Sequence, residues 1–298
     1  IGIIGLGVMG QNLALNIERN GYSVAGFDLD RGKQQESKKK FNGKNMQVAN
    51  SLKDFIDLLE SPKKILMMVP AGDPVDSVIH DLKPFLNEGD VVIDGGNSYF
   101  PNTERRHNEL NKKGIYFMGI GVSGGEEGAL KGPSIMPSGD LNAYKKVQPF
   151  LEAIAAKDEN NLPCCTYIGP EGSGHFVKMV HNGIKYAEMQ LLAEVFGILS
   201  ATGKNPDQIA DILENWKTTA NSYLLEITID ILRKKEGNDW LVHKILDKAG
   251  NKGTGNWATI ATAQLGAPTT MIATALFARY ISFYKEDRVE AYKTFRDN

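Results

Sequence analysis

The chain has 298 residues, of which 42% are hydrophobic and 23% are charged, and its formal net charge is −2. This composition predicts a globular protein of about two domains with a hydrophobic core, and it excludes a disordered or fibrous chain. The near-neutral charge gives no overall electrostatic signature for binding nucleic acid or an anionic membrane surface.

The two cysteines, Cys164 and Cys165, are neighbours in the sequence. A bridge between adjacent cysteines is strained, so we expect no disulfide framework and a reducing, cytoplasmic location. Residues 253–278 carry no formal charge. Polar residues and the break at residues 266–268 interrupt this stretch, which predicts two packed core helices rather than a membrane span.

The first half of the chain alternates short, β-rich apolar runs with amphipathic stretches, a pattern typical of a parallel sheet covered by helices. Strands are predicted at residues 1–5, 23–28, 65–69, 91–94 and 115–118. The first four end in glycine, proline or small polar residues, as expected where the carboxyl edge of a sheet meets a ligand crevice.

Beyond about residue 169, helical periodicity replaces the strand pattern. A long helix is predicted over residues 175–200, and further helices are predicted to begin near Asp207 and Tyr223. Glycine and proline cluster at residues 169–174. We therefore predict an α/β domain over residues 1–169, followed by an all-α domain over residues 170–298.

A GxGxxG motif follows the first strand and opens a helical pattern; its residues are Gly5, Leu6, Gly7, Val8, Met9 and Gly10. In this context the first glycine permits a tight turn and the second lets the backbone approach a pyrophosphate. The third lets the helix pack closely against the strand. The motif therefore predicts that these residues bind the phosphates of a dinucleotide and that residues 1–169 form a Rossmann-type dinucleotide-binding domain.

The second predicted strand ends at Asp28, eighteen residues beyond Gly10. An acid at this place accepts hydrogen bonds from the adenosine ribose and repels a 2′-phosphate, which favours NAD. Arg31 and Lys33 follow closely, and a basic residue just past the strand can accommodate a 2′-phosphate. NAD is therefore the favoured cofactor, and NADP stays open as the alternative.

A further glycine-rich loop and one helix face point to a polar ligand. Ser123, Gly124 and Gly125 follow a strand, and such loops present N–H groups and small hydroxyls to a carboxylate or hydroxyl. The long helix carries four polar residues at spacings of i, i+3, i+4 and i+7, which are Lys178, His181, Asn182 and Lys185. Because the flanking residues are apolar, we expect a functional face rather than a solvated one.

Five ordered motifs together closely resemble one family. They are the glycine loop, DGGNS at residues 94–98, GVSGGE at 121–126, GHFVKMVHNG at 174–183, and a distal pair, KGTGNW at 252–257 with FAR at 277–279. This set is similar to the 6-phosphogluconate dehydrogenases, decarboxylating β-hydroxyacid dehydrogenases of the pentose phosphate pathway and gluconate metabolism. The resemblance covers essentially the whole chain.

The resemblance implies oxidative decarboxylation of 6-phospho-D-gluconate to ribulose 5-phosphate and CO₂. Lys178 would be the general base that takes the C3 hydroxyl proton as hydride passes to the nicotinamide, which requires burial or a neighbouring cation to lower its pKa. Protonated Lys178 would then stabilise the enolate oxygen as CO₂ leaves. The enediol that remains must gain a proton.

The resemblance also implies binding residues, a homodimer and no metal. The implied cofactor contacts beyond the glycine loop and Asp28 are Val69, Pro70, Ala71 and Asn97. The implied substrate contacts are Asn97, Ser123, Gly124, Gly125, His181 and Asn182, with Tyr186, Lys252, Thr254 and Arg279 for the phosphate. Arg279 and Lys252 suit a dianionic phosphate because both supply charge-assisted hydrogen bonds.

The sequence departs from the family pattern at three places. Lys185 stands where the family has the glutamate that protonates the enediol, and Glu188, one turn further, is the candidate substitute. Asp28-Leu29-Asp30 replaces the Asn-Arg-Thr of NADP-dependent members, which again favours NAD, and Pro70 replaces a common lysine. Long members continue well beyond Arg279, so we expect either a naturally short member or a shortened chain.

These departures keep three hypotheses open. The leading one is a 6-phosphogluconate dehydrogenase. The second is a β-hydroxyacid dehydrogenase that oxidises another phosphorylated sugar acid without decarboxylation. The third is a catalytically weakened dinucleotide-binding protein. Reduction of the cofactor with 6-phosphogluconate, measured together with CO₂ release, separates the three.

Overall fold

The computed structural model describes residues 1–250 and 253–296. The chain divides into two compact units, Ile1–Met179 and Val180–Asn298, and the division falls inside a long helix. The domain boundary near residue 169 stays a prediction. Among the described residues, no helix combines the length and the apolar character needed to cross a membrane.

The first unit is built on one seven-stranded sheet. Its strands are β1 (Gly2–Ile4), β2 (Val24–Phe27), β3 (Met46–Val48), β4 (Lys64–Met67), β5 (Val91–Asp94), β6 (Tyr116–Ser123) and β7 (Ser134–Ser138). The spatial order is β3-β2-β1-β4-β5-β6-β7. Strands β1 to β6 pair in parallel, and β7 pairs antiparallel to β6. This is the doubly wound order, with its switch point between β1 and β4.

Helices cover both faces of this sheet. They are α1 (Val8–Arg19), α2 (Arg31–Lys40), α3 (Leu52–Asp57), α4 (Asp73–Leu82), α5 (Phe100–Asn111), α6 (Gly125–Lys131) and α7 (Leu141–Ile154). Neighbouring strand residues alternate between two buried clusters, with Ile3 in one and Ile4 in the other. A parallel strand buried on both faces reads as a continuous apolar run, which is why the strand pattern was strong in the sequence.

The second unit is mainly helical. Helix α8 (Ser173–Ala201) leads into α9 (Pro206–Ala220), α10 (Tyr223–Arg233), α11 (Thr254–Gln264), α12 (Thr270–Phe283) and α13 (Lys285–Phe295). Asn205 and Gln208 form a capping box at the start of α9, and Pro206 occupies the first turn, where a missing N–H costs nothing. Helices α9 and α10 enclose a buried apolar cluster that includes Ile209, Leu213 and Ile229.

The fold class and the five predicted strands are confirmed, as are the long helix and the break between α11 and α12. Strands β3 and β7 were not predicted. A short hairpin, β8 (Lys235–Glu236) with β9 (Asp239–Trp240), also interrupts the helical second unit. β3 has only three residues, and Pro137 lies inside β7, so neither carries a recognisable alternating pattern.

Candidate functional site

The loop between β1 and α1 has the backbone of a phosphate-binding turn. Gly5 has a φ of +96°, and a Cβ on Gly10 would lie 1.9 Å from the Gly5 carbonyl oxygen, so both positions require glycine. A Cβ on Gly7 would meet nothing within 4 Å. Within the described residues, no side chain caps the N-terminus of α1, so its first N–H groups face this open space. Of the other predicted contacts of the loop, Leu6 is buried, Val8 is exposed and Met9 is half-buried.

Asp28, at the end of β2, has a side chain only 8% exposed. Its Oδ2 accepts a hydrogen bond from the Leu6 N–H at 2.7 Å, and its Oδ1 accepts one from the Asp30 N–H at 2.9 Å. The carboxylate therefore ties the glycine loop to the end of β2. It keeps acceptor capacity, because a carboxylate offers about four lone-pair sites. These residues fit a bound dinucleotide.

The residues after Asp28 surround the N-terminus of α2. The Oδ1 atom of Asp30 accepts hydrogen bonds from the N–H groups of Gly32 and Lys33, at 2.7 and 3.2 Å. These N–H groups, which otherwise suit an anion, are therefore already bound to a carboxylate. Leu29 is 79% exposed, and Arg31 is also exposed.

Two loops lie at the carboxyl ends of β4 and β5. Val69 is half-buried, while Pro70 and Ala71 are exposed in the loop after β4. A Cβ on Gly96, in the loop after β5, would lie 3.0 Å from the Val69 carbonyl oxygen. The two loops therefore pack closely, and Asn97 is exposed beside this contact.

The residues on both sides of Asn97 in the chain are bound by one buried carboxylate. Asp94, which is fully buried, accepts hydrogen bonds from the Gly96 N–H at 3.0 Å and from the Ser98 Oγ at 2.6 Å. These two donors flank Asn97 in the chain. The loop is therefore anchored to the end of β5 by one side chain.

Lys178 lies in α8 with a side chain only 8% exposed. A Cβ on Gly121 would lie 2.5 Å from the Lys178 Cβ, and a Cβ on Gly174 would lie 2.1 Å from the Met136 carbonyl oxygen. The first turns of α8 therefore pack against β6 and β7 with no room for side chains at these two glycines. Gly121 leaves the space that the lysine stem fills.

The loop after β6 carries the predicted carboxylate or hydroxyl contacts. Ser123 is half-buried at the end of β6, and Gly124 and Gly125 are exposed. Both glycines have positive φ values, +126° and +63°, as they turn the chain into α6. The turn therefore needs glycine for its conformation, whatever it binds.

His175 lies one turn before Lys178 and is 1% exposed. Its Nδ1 lies 2.7 Å from the Thr103 Oγ1, and a Cβ on Gly119 would lie 2.8 Å from that Nδ1. Burial lowers the pKa of His175, and the Asp94 carboxylate opposes this shift. The buried imidazole of His175 therefore packs one helical turn before Lys178.

Within the second unit, two of the predicted phosphate contacts, Tyr186 and Arg279, lie together. The Arg279 guanidinium lies 4.4 Å from the centre of the Tyr186 ring, and its Nε donates to the Gly250 carbonyl oxygen at 2.6 Å. A Cβ on Gly255 would lie 2.5 Å from the Tyr186 ring. Thr254, the first residue of α11, is buried beside it in the chain. Lys252 lies outside the described residues.

The remaining predicted contacts of α8 lie beyond Lys178. The His181 Nδ1 lies 3.4 Å from the Asn182 Oδ1, and both side chains are half-buried. Lys185 is also half-buried, with its Nζ 6.0 Å from the centre of the Tyr223 ring. The side chain of Lys185 therefore lies near the first residue of α10 rather than in open solvent.

Glu188, the candidate substitute for the family glutamate, has a structural partner. Its carboxylate accepts a hydrogen bond from the Ser222 Oγ. The same Oγ accepts a hydrogen bond from the Leu225 N–H at 3.0 Å and caps α10. Glu188 is therefore bound to a helix cap, which weakens its case as a proton donor.

Sequence reasoning missed the buried polar residues beneath the site, Thr103, Arg106 and His175. The available signal was Asp94, since an acid at the end of a buried strand needs a cation or several donors. No sequence pattern indicated which cation lies beside Asp94. Among the described residues, no group of three or more His, Cys, Asp or Glu side chains could hold a metal ion.

Two family profiles match the chain. One, the NAD binding domain of 6-phosphogluconate dehydrogenase, matches residues 1–169. The other, the C-terminal domain of 6-phosphogluconate dehydrogenase, matches residues 174–298.

Individual relatives agree with these profiles. The NAD(+)-dependent and NADP(+)-dependent decarboxylating 6-phosphogluconate dehydrogenases of Bacillus subtilis are 52% and 51% identical over 98% of this chain. The chain spans 63% of the length of each of these curated relatives. The solved 6-phosphogluconate dehydrogenase of Plasmodium falciparum superposes with a TM-score of 0.93 at 40% identity, covering 99% of this chain and 64% of that one. The chain therefore belongs to the 6-phosphogluconate dehydrogenase family.

Proposed function

We propose that the protein oxidises 6-phospho-D-gluconate with a nicotinamide cofactor and releases CO₂ to give ribulose 5-phosphate. The observation that carries this proposal is Lys178, a buried lysine in the unit that also holds the glycine loop. Its stem fills the space that Gly121 leaves open. A lysine that is removed from water is suited to proton transfer. The identity of the substrate is inferred from the family to which the chain belongs.

The cofactor would be held by the glycine loop and Asp28. The open space above Gly7 and the first N–H groups of α1 suit a pyrophosphate. The oxygens of Asp28 suit the adenosine ribose. When bound, the nicotinamide supplies a hydride acceptor. The exposed residues Pro70, Ala71 and Asn97 are proposed to bind that half of the cofactor.

In this proposal the amine of Lys178 accepts the C3 hydroxyl proton of the substrate, while the C3 hydride would pass to the nicotinamide. The resulting 3-keto acid has a carbonyl β to its carboxylate, so loss of CO₂ leaves negative charge on the C3 oxygen. The ammonium of Lys178 then stabilises that oxygen in a site shielded from water. Asn97, Ser123, Gly124 and Gly125 are the proposed partners of the substrate's polar groups in the first unit.

We propose Tyr186, Thr254 and Arg279 as phosphate contacts of the second unit, with His181 and Asn182 as further substrate contacts. The Arg279 guanidinium is already oriented by stacking on Tyr186 and by its bond to the Gly250 carbonyl. An oriented guanidinium loses little freedom when it binds a phosphate. Lys252 is the fourth proposed phosphate contact.

NAD is the proposed cofactor, with NADP as the alternative. Asp28 would repel a 2′-phosphate, and Asp30 occupies the N–H groups of α2 that could otherwise bind one. Exposed Leu29 offers no charge in that place. The relatives in Bacillus subtilis include an NAD(+)-dependent and an NADP(+)-dependent enzyme, so the choice rests on these residues.

A second candidate function follows from Lys185. The enediol needs a proton donor, and Glu188 is bound to the Ser222 cap. If Lys185 does not donate that proton, the reaction stops after oxidation. The protein would then be a β-hydroxyacid dehydrogenase that oxidises another phosphorylated sugar acid without decarboxylation. A dinucleotide-binding protein without turnover is the third candidate.

The proposal is tested by steady-state kinetics on 6-phosphogluconate, with NAD and NADP compared in parallel. The CO₂ and the ribulose 5-phosphate that are formed are measured in the same reactions. We expect reduction of NAD with equal amounts of CO₂ and ribulose 5-phosphate. Reduction without CO₂ would support the second candidate, and NAD binding without reduction would support the third.

Variants assign the residues in the same assay. Lys178→Ala is expected to abolish turnover while the Kd for NAD stays within about twofold, because the lysine acts on the substrate. Lys185→Glu, which restores the family residue, separates the two enzyme candidates. A rise in ribulose 5-phosphate per NADH in this variant would show that Lys185 limits protonation.

The assembly, the compartment and the domain limits are also proposals. Large apolar side chains on α12 and α13 are exposed, including Phe277, Ile281 and Phe295, which supports a homodimer. Both cysteines are free thiols, as expected in the reducing cytoplasm. We propose residues 1–169 as the cofactor-binding domain and residues 170–298 as the helical domain.

A further inference from the structure

Arg106, in α5, is a charged side chain only 1% exposed within the first unit. Removing a guanidinium from water costs several kcal/mol unless its partners are well placed. The neighbouring Arg105 has a side chain 46% exposed. Membership of α5 therefore does not by itself explain why the side chain of Arg106 is buried.

One edge of the guanidinium is bound to the segment after β4. Its Nη2 donates to the Gly72 carbonyl oxygen at 2.9 Å and to the Asp76 Oδ2 at 2.7 Å, and its Nε donates to the Asp76 Oδ1 at 3.0 Å. This is a two-pronged contact between guanidinium and carboxylate, the strongest kind of side-chain hydrogen bond. Gly72 follows Pro70 and Ala71 directly, so Arg106 fixes the end of that loop.

The other edge faces the segment after β5. The Arg106 Nη1 lies 3.7 Å from the Asp94 Oδ2, and among the described residues this Nη1 donates no hydrogen bond. Asp94 in turn holds Gly96 and Ser98, the two neighbours of Asn97. Arg106 therefore supplies the positive charge beneath the carboxylate that anchors Asn97.

The two loops linked in this way also touch each other. A Cβ on Gly95 would lie 2.7 Å from the Met68 Sδ, and a Cβ on Gly96 would lie 3.0 Å from the Val69 carbonyl oxygen. They stand at the carboxyl ends of adjacent strands, on the side of the switch point away from Asp28. In a doubly wound sheet, one half of the dinucleotide lies over each side of that point. These loops therefore face the nicotinamide half.

We propose that Arg106 is a positioning residue that locks the loops carrying Pro70-Ala71 and Asn97 into one arrangement for the nicotinamide ring. The inference rests on the proposed function, because it requires a bound dinucleotide. The adenosine half is held elsewhere, by the glycine loop and Asp28. Loss of Arg106 should therefore affect the two halves of the cofactor unequally.

The test compares NAD with ADP-ribose, which keeps the adenosine and pyrophosphate but lacks the nicotinamide. Calorimetry with Arg106→Lys is expected to raise the Kd for NAD about tenfold and to leave the Kd for ADP-ribose within about twofold. Lysine keeps the charge but cannot reach Gly72, Asp76 and Asp94 together. The same variant should lower kcat on 6-phosphogluconate. Arg105→Lys is the matched control, since Arg105 also contacts Asp76 from the surface, and it should change neither Kd.

A merely structural role would reduce the folded fraction and move both Kd values by the same factor. An unchanged ratio of the two Kd values in Arg106→Lys would therefore overturn the inference. If that variant does not fold, Asp76→Asn serves instead, because it removes one anchor from a half-buried position. We expect its Kd ratio to rise about threefold, and an unchanged ratio overturns the inference there as well.

The wild-type protein distinguishes failure of the inference from failure of the proposed function. If it binds neither NAD and ADP-ribose nor NADP and 2′-phospho-ADP-ribose, the proposed function is wrong and the inference falls with it. If it prefers the phosphorylated pair, the same ratio is measured with that pair. Binding with no effect of Arg106 overturns the inference alone.

Discussion

The first and second units differ in how completely their apolar residues are buried. In the first unit, two buried clusters lie on the two faces of the sheet. In the second unit, α9 and α10 enclose one such cluster. By contrast, Phe277, Ile281 and Phe295 on α12 and α13 are 57%, 61% and 73% exposed. The first unit thus fixes its candidate site by its own packing, whereas the second leaves apolar surface for a further contact.

The glycines of the first unit provide the largest expected effect. In Gly10→Ala, the new Cβ would lie 1.9 Å from the Gly5 carbonyl oxygen, so α1 must move away from β1. We expect loss of NAD binding together with a large drop in the Tm. Gly7→Ala is the matched control, because its Cβ meets nothing within 4 Å; it should keep the Tm and weaken only NAD binding. Equal Tm values for the two variants would contradict this explanation.

The next largest effect concerns a buried ion pair in the same unit. The Lys63 Nζ lies 3.2 Å from the Asp90 Oδ2, and the two side chains are 8% and 1% exposed. Asp90→Asn leaves the ammonium buried without a counter-charge, and we expect the free energy of unfolding to fall by about 3–5 kcal/mol in denaturant titrations. The exposed pair of Lys53 and Asp57 provides the control, since Asp57→Asn should leave the unfolding midpoint unchanged.

A smaller effect is expected in the second unit, at the cap of α10. Ser222→Ala removes the acceptor of the Leu225 N–H and the donor to Glu188. Loss of such a cap should reduce the free energy of unfolding by about 1 kcal/mol. Ser222→Thr keeps the hydroxyl and should restore most of this stability. A loss as large as that of Asp90→Asn would contradict the view that the second unit is the less tightly packed one.

The smallest effect is a dependence on pH at the surface of the first unit. Hydrogen bonds from Arg106, and then Arg105, lower the pKa of Asp76 to about 2 from an ordinary value of 3.8. A lowered pKa contributes stability above the ordinary value, and this stability is lost as the pH falls through about 2. Solvent screens part of the effect because the carboxylate is 38% exposed.

The measurement compares the free energy of unfolding of the wild type and Asp76→Asn between pH 5 and pH 2, roughly the window of this titration. The wild type should be the more stable at pH 5, and the difference should shrink toward pH 2. A difference that stays constant across this range would show that Asp76 does not titrate with the lowered pKa.

Much of the fold was predictable because its signals are local. The glycine loop, the apolar runs of β1, β2, β4 and β5, and the caps of α9 and α10 each depend on residues close in sequence. Strand β7 was not predictable in this way. Its residues around Pro137 form a strand only because they pair with the extended end of β6.

The residues of the candidate site can be divided in the same way, into those that local sequence indicates and those that depend on tertiary contacts. The sequence by itself determined the dinucleotide motif, the acid at residue 28 and the spacing of Lys178, His181 and Asn182 along one helix. Only the tertiary structure decided that Arg106 is buried and its neighbour Arg105 exposed, and that Glu188 is bound to a helix cap. The physical reason is that local periodicity sets the conformation of a segment, whereas burial and charge pairing depend on which distant segments fold against it.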